Sequence, residues 1–433
     1  MKINKTVVGK VYKFNVSFRP ITMTAHAGIV LLRDFIERLG LHELIDERVV
    51  VKKRERGYRE SENILSLCWN AIIGGSCLRD LDVLRGDEGI AELLGVESVM
   101  APTTAGEFLR DFTVEDLHDL QSVYRIASER ARRYQKEDRV TLDMDASLYE
   151  QCSERKEGSR MNYKGEIGYY PLFIFRAETK EIVQAELLSG NSSVAPRSVE
   201  LVRQGLQNVP AGKRRFLRAD SEFYIWELIK FCEANRITYA ITADQTKYLR
   251  AKLEAIAENQ WRPYDGEIEV AEMIYAPDRH QPHRYEVTRR RVQDKQGVVG
   301  WRYHVVITND KRSSAGRLMR WATGRCAMEN LIKEHKRDFG FEKMPSQNFH
   351  ANWAWLLISQ LAWNLVAWFN RICLPQECHK LTVTTLRHRL LNVAAKIVHQ
   401  SRQCYLVLSE ENRFKEWWLF AINKLTRLQP SCP

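Results

Sequence analysis

The chain has 433 residues with 66 Lys and Arg against 55 Asp and Glu, a formal charge of +11, and 44% hydrophobic content. That length exceeds one small domain, implying two to four units at about 150 residues each, and the composition excludes a disordered chain. Nine scattered cysteines with no C-x-x-C pair indicate neither a zinc site nor a disulfide framework, and the basic balance favours a polyanionic partner without naming one.

The opening, MKINKTVVGKVYKFNV, lacks the apolar core of a signal peptide. Residues 1–138 read as a helical unit, with helices expected at 25–39, 61–73, 104–112 and 115–134. Thr104 and Glu107 are spaced as a capping box for the third. Lys52, Lys53, Arg54, Arg56, Arg79 and Arg85 suit a DNA-binding unit of helix-turn-helix style, and equally an ordinary solvated bundle.

At Arg139 the hydrophobic period changes from 3.6 to 2. In VTLDMDASL, Val140, Leu142, Met144, Ala146 and Leu148 alternate with Thr141, Asp143, Asp145 and Ser147, so one face of a strand is apolar and the other carries two carboxylates. Two further strands follow, Ile167 to Arg176 and Glu181 to Leu188, joined by a turn at Glu178-Thr179-Lys180. A helix near 196–207 leads to the strand RRFLRAD, which delivers Asp220 just before a helix at 222–235, and ITYAIT at 237–242 is another strand. Three strands and then alternating helix and strand, with acids on the first and fourth strands, is the order of a ribonuclease-H-like α/β fold. Residues 139–242 are its first part.

Residues 243–314 read as a β-rich insertion from the alternating pieces EIEVAEMIYA, HRYEVTRRRV and WRYHVVITND, with a turn at Gln296-Gly297. Residues 315–372 would complete the core with a helical segment, GRCAMENLIKEHKRDFG, and a buried helix at 351–370. The longest apolar stretch, Trp353 to Phe369, carries Ser359, Gln360 and Asn364 and is shorter than the roughly 20 residues a membrane span needs. A cytoplasmic protein with no membrane partner is expected. Residues 373–433 are expected to form a basic helical C-terminal segment.

On a helix turning about 100° per residue, Arg325, Glu329 and Lys336 project at roughly 0°, 40° and 20°, while Glu334 and Asp338 fall on the far side. Glu329 is therefore the carboxylate that shares a stripe with two cations. In-line cleavage of a phosphodiester requires stabilisation of both the attacking and the leaving oxygen. Two Mg²⁺ ions about 3.5–4 Å apart do this, and they need carboxylates on rigid elements. Asp145, Asp220 and Glu329 would supply them. Each has an ordinary alternative: Asp220 as a helix N-cap, Asp143 and Asp145 as a solvated strand face, and Glu329 as a surface partner of Lys333. A sugar hydrolase would need only two acids and no cationic stripe.

The motifs DMDAS around Asp145, RADSEFY around Asp220 and RCAMENLIKEHKRDFGFEKMPS around Glu329 resemble those of bacterial insertion-sequence transposases of the DDE type, in the group with a Tyr-x₂-Arg-x₃-Glu-x₆-Lys signature. Likeness extends through TAHAGIVLL, GGSCLRDLDVLRGD, KGEIGYYPL and NFHANWAWLLISQLAWNL, nearly the whole chain. The resemblance implies a ribonuclease-H-like core interrupted by a β insertion, an N-terminal unit that reads terminal inverted repeats, and cut-and-paste movement of the element. It implies Asp145, Asp220 and Glu329 as catalytic metal ligands for Mg²⁺, with Mn²⁺ substituting. Double-stranded DNA, both the repeats and the target, would be the partner of a homodimer associated with the bacterial nucleoid. Arg325 and Lys336 match the phosphate-contacting positions, with Lys333 beside them, and Asp143 is a neighbour of the first acid. The signature tyrosine position is Ala322, with Trp321 one residue earlier. Related enzymes hold a flipped base on an aromatic residue of the insertion, for which Trp261 and Trp301 are candidates, though Trp in a β unit also serves as core. Arg289, Arg290 and Arg291 are candidates for DNA backbone contacts there.

Overall fold

The computed structural model describes residues 7–11, 14–17, 21–52, 57–135, 137–210, 212–277, 280–293 and 297–430. Lys53, Arg54, Arg56 and Gln296, named above, lie outside the described residues. A hairpin of β1 (Val7–Val11) and β2 (Phe14–Ser17) and a short β3 (Met23–Thr24) precede the helices. These are α1 (Ile29–Arg38), α2 (Leu41–Arg48), α3 (Glu60–Ile73), α4 (Leu81–Gly86), α5 (Ile90–Leu94), α6 (Pro102–Arg110) and α7 (Val114–Arg132). The expected box at Thr104 does not form, because α6 starts two residues earlier, at Pro102, with Ala101 as its cap. Proline has no N–H to satisfy at that position and its φ is already helical. The reciprocal capping box forms instead at α7, between Thr113 and Asp116.

The central core is built on β4 (Arg139–Ala146), β8 (Leu172–Arg176), β9 (Ile182–Glu186), β10 (Arg214–Ala219) and β11 (Thr238–Thr242). Between β4 and β8 lies a small sheet of β5 (Tyr149–Glu150), β6 (Arg160–Met161) and β7 (Ile167–Tyr169). The single strand expected over 167–176 is thus two, divided at Pro171, which cannot donate to a ladder. In space the order is β9-β8-β4-β10-β11, with β4, β8 and β9 an antiparallel meander and β4, β10 and β11 parallel. That is the ribonuclease-H-like arrangement.

The sheet does not end at β11. Strands β12 (Arg262–Asp265), β13 (Ile268–Tyr275), β14 (His283–Gln293) and β15 (Val299–Thr308) continue it through antiparallel pairing of β15 with β11, to nine strands among the described residues. The β-rich segment is therefore an extension of the core sheet.

One face of the sheet is covered by α8 (Ala195–Gln207), α9 (Trp226–Ala234) and α10 (Lys247–Glu254), which pack with Val140, Leu142, Met144 and Leu217. The other face meets α13 (Phe349–Cys373), which is also the centre of the N-terminal helices; Trp355, Trp368 and Phe369 share a core with Phe35, Ile72 and Leu120. The polar residues in this apolar helix have specific partners. Asn364 both accepts from Ile182 N–H at 2.8 Å and donates to Ile182 C=O at 2.9 Å, and Gln360 donates to the same carbonyl. They close the free edge of β9, which would otherwise expose unpaired backbone groups. Beyond α13, residues after 373 are not all helical. Short α14 (Val383–Leu386) and terminal α15 (Lys415–Arg427) flank a hairpin, β16 (Ala395–Gln400) and β17 (Gln403–Val407), that pairs with β3. The β-branched Ile397 and Val398 suit this strand better than a helix.

Candidate active site

Strand β4 carries Asp145 near its C-terminal end, and β10 delivers Asp220 immediately after its own. The two strands pair in parallel with Met144 level with Ala219, so the next step of the register sets Asp220 beside Asp145. Carboxyl ends of neighbouring parallel strands open together at one edge, where α/β folds place their sites. Asp145 is buried, pointing to the α13 side opposite Met144, and its Oδ1 accepts the Ala146 N–H at 2.9 Å. Asp220 does cap the short turn Ser221–Phe223, with Oδ1 accepting Glu222 N–H at 3.0 Å. A cap uses one oxygen and leaves the second available.

The third acid arrives on the expected helical segment, 324–340, which forms as α12 (Cys326–Asp338); a separate α11 (Ala315–Thr323) precedes it, with Gly324 and Arg325 at the joint. Arg325 Nη1 donates to Asp145 Oδ2 at 3.0 Å, and its Nη2 lies 3.5 Å from Glu329 Oε1. Glu329 is exposed in the first turn of α12 and pairs with Arg325.

Burial pushes the Asp145 carboxyl up to about 7; Arg325 opposes this, and the charges of Asp220 and Glu329 add to it. Burial also raises Asp220, against Arg325 and the Glu222 N–H, with Glu329 and Asp244 raising it further. The site is thus a set of mutually repelling carboxylates short of positive charge. Among the described residues the three acids do not bring one oxygen each within 4.8 Å of all the others; Glu92, His399 and Cys404 on another surface do so with their ligand atoms. The acidic set nevertheless fits divalent cations by its chemistry, because hard cations take carboxylate oxygens and would supply the charge that Arg325 supplies here in part.

The remaining candidates have distinct settings. Lys336 is half-buried, donates to Leu148 C=O at 2.7 Å and lies over the Tyr149 ring; with Lys156 and Lys343 it lines a cleft of about 490 Å³. Lys333 and Arg290 are exposed, on α12 and β14 respectively. Arg289 is not a surface cation: its guanidinium is sandwiched 4.2 Å from the Trp261 ring centre and 4.1 Å from that of Trp301, and it pairs with Glu258 and Glu269. Trp261 is buried and Trp301 half-buried, also facing Arg291. Trp321 packs edge-on against Phe216, and Ala322 joins the cluster of Ala240, Val306 and Met319.

Asp143, read from the sequence as a neighbour of the first acid, has partners that the sequence did not show, and Arg218, His304 and Asp244 went unremarked there. Asp143 forms a buried two-pronged pair with Arg218 at 2.6 and 2.7 Å, and the third guanidinium nitrogen donates to Trp321 C=O at 2.6 Å. This clamp joins β4, β10 and the end of α11 directly behind the acids. It also requires Gly324, where a Cβ would lie 2.5 Å from Arg218 Nη1. His335 accepts or donates at both ring nitrogens, to Tyr149 Oη and Ser359 Oγ at 3.0 Å each, and so holds α12 against α13; burial drives its imidazole down to about 3. His304 on β15 is lowered by burial and then by the Arg325 charge, placing it on the same side. Asp244 follows β11, a third parallel strand end, and that position was the available signal.

The family profile for the transposase DDE domain, group 1, matches residues 7–430. The chain belongs to the group 1 DDE transposase family. No curated protein matches it. Solved structures similar to this transposase include a piggyBac transposase synaptic complex with hairpin DNA, at 13% identity and a TM-score of 0.40, over 93% of this chain and 80% of that one. Another is a Mos1 transposase paired-end complex with a left transposon end, at 14% identity and a TM-score of 0.17, over 43% of this chain and 61% of that one. These likenesses are distant, and membership rests on the match along nearly the full chain. Among the described residues of the transposase, no helix is long and apolar enough to cross a membrane.

Proposed function

We propose that this transposase binds double-stranded DNA at the terminal inverted repeats of its element and carries out metal-dependent strand cleavage and strand transfer, with Asp145, Asp220 and Glu329 as the metal-holding acids. The observation that carries the reading is the meeting of Asp145 and Asp220 at one sheet edge with Arg325 joining Asp145 to Glu329. Two Mg²⁺ ions, for which Mn²⁺ substitutes, would stabilise the attacking and leaving oxygens of an in-line displacement when bound. The protein's own part is positional. Parallel register holds the two aspartates, the Arg218–Asp143 clamp fixes the joint before α12, and His335 anchors that helix. Arg325 balances Asp145 and Glu329, and its planar guanidinium would also suit a DNA phosphate beside metal-loaded acids. Lys336, Lys333 and the cleft lysines Lys156 and Lys343 supply a path for the strand backbone. Excision requires both ends together, so a homodimer on DNA is part of the proposal.

The test is Asp220→Asn. Binding to a duplex carrying the flanking repeats should persist and weaken with salt, while cleavage should disappear. Equal cutting by the variant would refute the assignment. A second reading, a chain that binds DNA without cutting it, draws on Ala322 at the signature tyrosine position; it gains if the native chain binds the repeats and cuts nothing.

A further inference from the structure

On a different sheet from the strands that carry Asp145 and Asp220, three side chains with metal-binding atoms meet on the exposed face between α5 and the hairpin β16–β17. His399 Nε2 lies 3.2 Å from Glu92 Oε2, and Cys404 Sγ lies 3.1 Å from Glu92 Oε1. One ligand atom from each residue falls within 4.8 Å of the other two. Tetrahedral zinc, with bonds of about 2.0–2.3 Å, needs ligand atoms roughly 3.3–3.8 Å apart, so the two Glu92 contacts lie within a few tenths of an ångström of closure and the imidazole and thiol, within 4.8 Å of each other, need to close by roughly 1 Å or less.

The backbone is built to hold them there. His399 and Cys404 are cross-strand partners, next to the pair Gln400 and Gln403 that closes a two-residue turn. Both turn residues, Ser401 and Arg402, have left-handed φ, 51° and 62°. Such turns ordinarily use Asn and Gly, and a non-glycine residue there is strained. The strained two-residue turn places the imidazole and the thiol side by side. Glu92 reaches them because α5 docks closely on β16: at Gly89, just before α5, a Cβ would lie 2.8 Å from Ile397 Cδ1.

We propose that Glu92, His399 and Cys404 form a zinc-type metal site with three protein ligands and one open position, clipping the C-terminal hairpin to the N-terminal helices. The donor set selects the metal class. Thiolate and imidazole suit zinc, whereas the all-oxygen set of Asp145, Asp220 and Glu329 suits Mg²⁺ or Mn²⁺. Binding replaces the thiol proton of Cys404, which now points at Glu92, and releases it to solvent. The site is independent of the catalytic proposal.

Cobalt(II) titration of the metal-free full chain tests it, because thiolate-to-cobalt absorption arises only where a cysteine ligates and is blind to metal on the acids. Native protein should show the band at one cobalt per chain. Cys404→Ser should lose it, His399→Ala and Glu92→Gln should weaken cobalt binding at least about tenfold, and Cys152→Ser and Cys326→Ser, at two other exposed cysteines, should leave it unchanged. Absence of the band in native protein, its survival in Cys404→Ser, or unchanged affinity in His399→Ala would overturn the proposal and leave a hydrogen-bonded surface cluster.

Discussion

Arg325 links Asp145, 3.0 Å away on the central strand, to Glu329, 3.5 Å away on the following helix. One guanidinium thereby balances two acids that would otherwise repel each other across the cleft. Replacing it with Ala should destabilise the metal-free protein at pH 8 by roughly 1.5–3 kcal/mol, the range for hydrogen bonds to charged groups. The deficit should shrink at pH 5, where Asp145 is protonated, and on adding divalent ions. Urea denaturation at both pH values checks this; an equal loss at pH 5 and pH 8 would contradict it.

Asp145 itself opposes folding at neutral pH. Its folded carboxyl titrates near 7, above the ordinary aspartate value of 3.8, so the folded chain holds the proton more tightly than the unfolded chain. Stability from this group is complete below about 3.8 and is lost as pH rises to 7, by up to about 1.4 kcal/mol per pH unit. Asp145→Asn should therefore raise the metal-free Tm at pH 8 and leave it nearly unchanged at pH 4. A lower Tm for the variant at pH 8 would refute the electrostatic picture.

The Arg218–Asp143 clamp is buried on both sides. Removing one partner leaves an unpaired buried charge, a loss of roughly 3–5 kcal/mol. Arg218→Met and Asp143→Leu should each lower the denaturation midpoint strongly, and the double variant by less than their sum. Additive losses would mean the pair does not act as a unit.

His335 has the opposite titration. Its imidazole is held near 3 when folded, against about 6.5 unfolded, so the unfolded state takes up a proton first as pH falls. Stability should decline between pH 6.5 and 3 with a slope of up to about 1.4 kcal/mol per unit. His335→Gln should flatten that slope by about one proton, measured from denaturation curves across the range; an unchanged slope would contradict the assignment.

Local periodicity made much of this legible. The alternation in VTLDMDASL specified β4 and the common face of Asp143 and Asp145. It could not show that this face is buried, because its cover, α12 and α13, comes from far along the chain, and the residue that neutralises Asp143 sits on another strand. The polar residues of the apolar helix were visible, but their purpose, closing the edge of β9 and holding His335, depends on tertiary placement. The helical segment from Gly324 to Gly340 was legible and forms as α12, but the close approach of Arg218 to the joint at Gly324 was not, because Arg218 sits on a strand far upstream. The β16–β17 hairpin was hidden because Ser401-Arg402 is not a usual turn pair. For the same reason, scattered cysteines gave no hint that Cys404 meets His399 and Glu92.

Whether Glu329 completes the cleaving site is decided by Mg²⁺- or Mn²⁺-dependent cleavage of a plasmid carrying the gene's own flanking DNA, comparing the native chain with Glu329→Gln. Cuts at the repeat ends should appear with the native chain alone, with both proteins binding the DNA. Metal-dependent cutting that persists in Glu329→Gln would contradict that role.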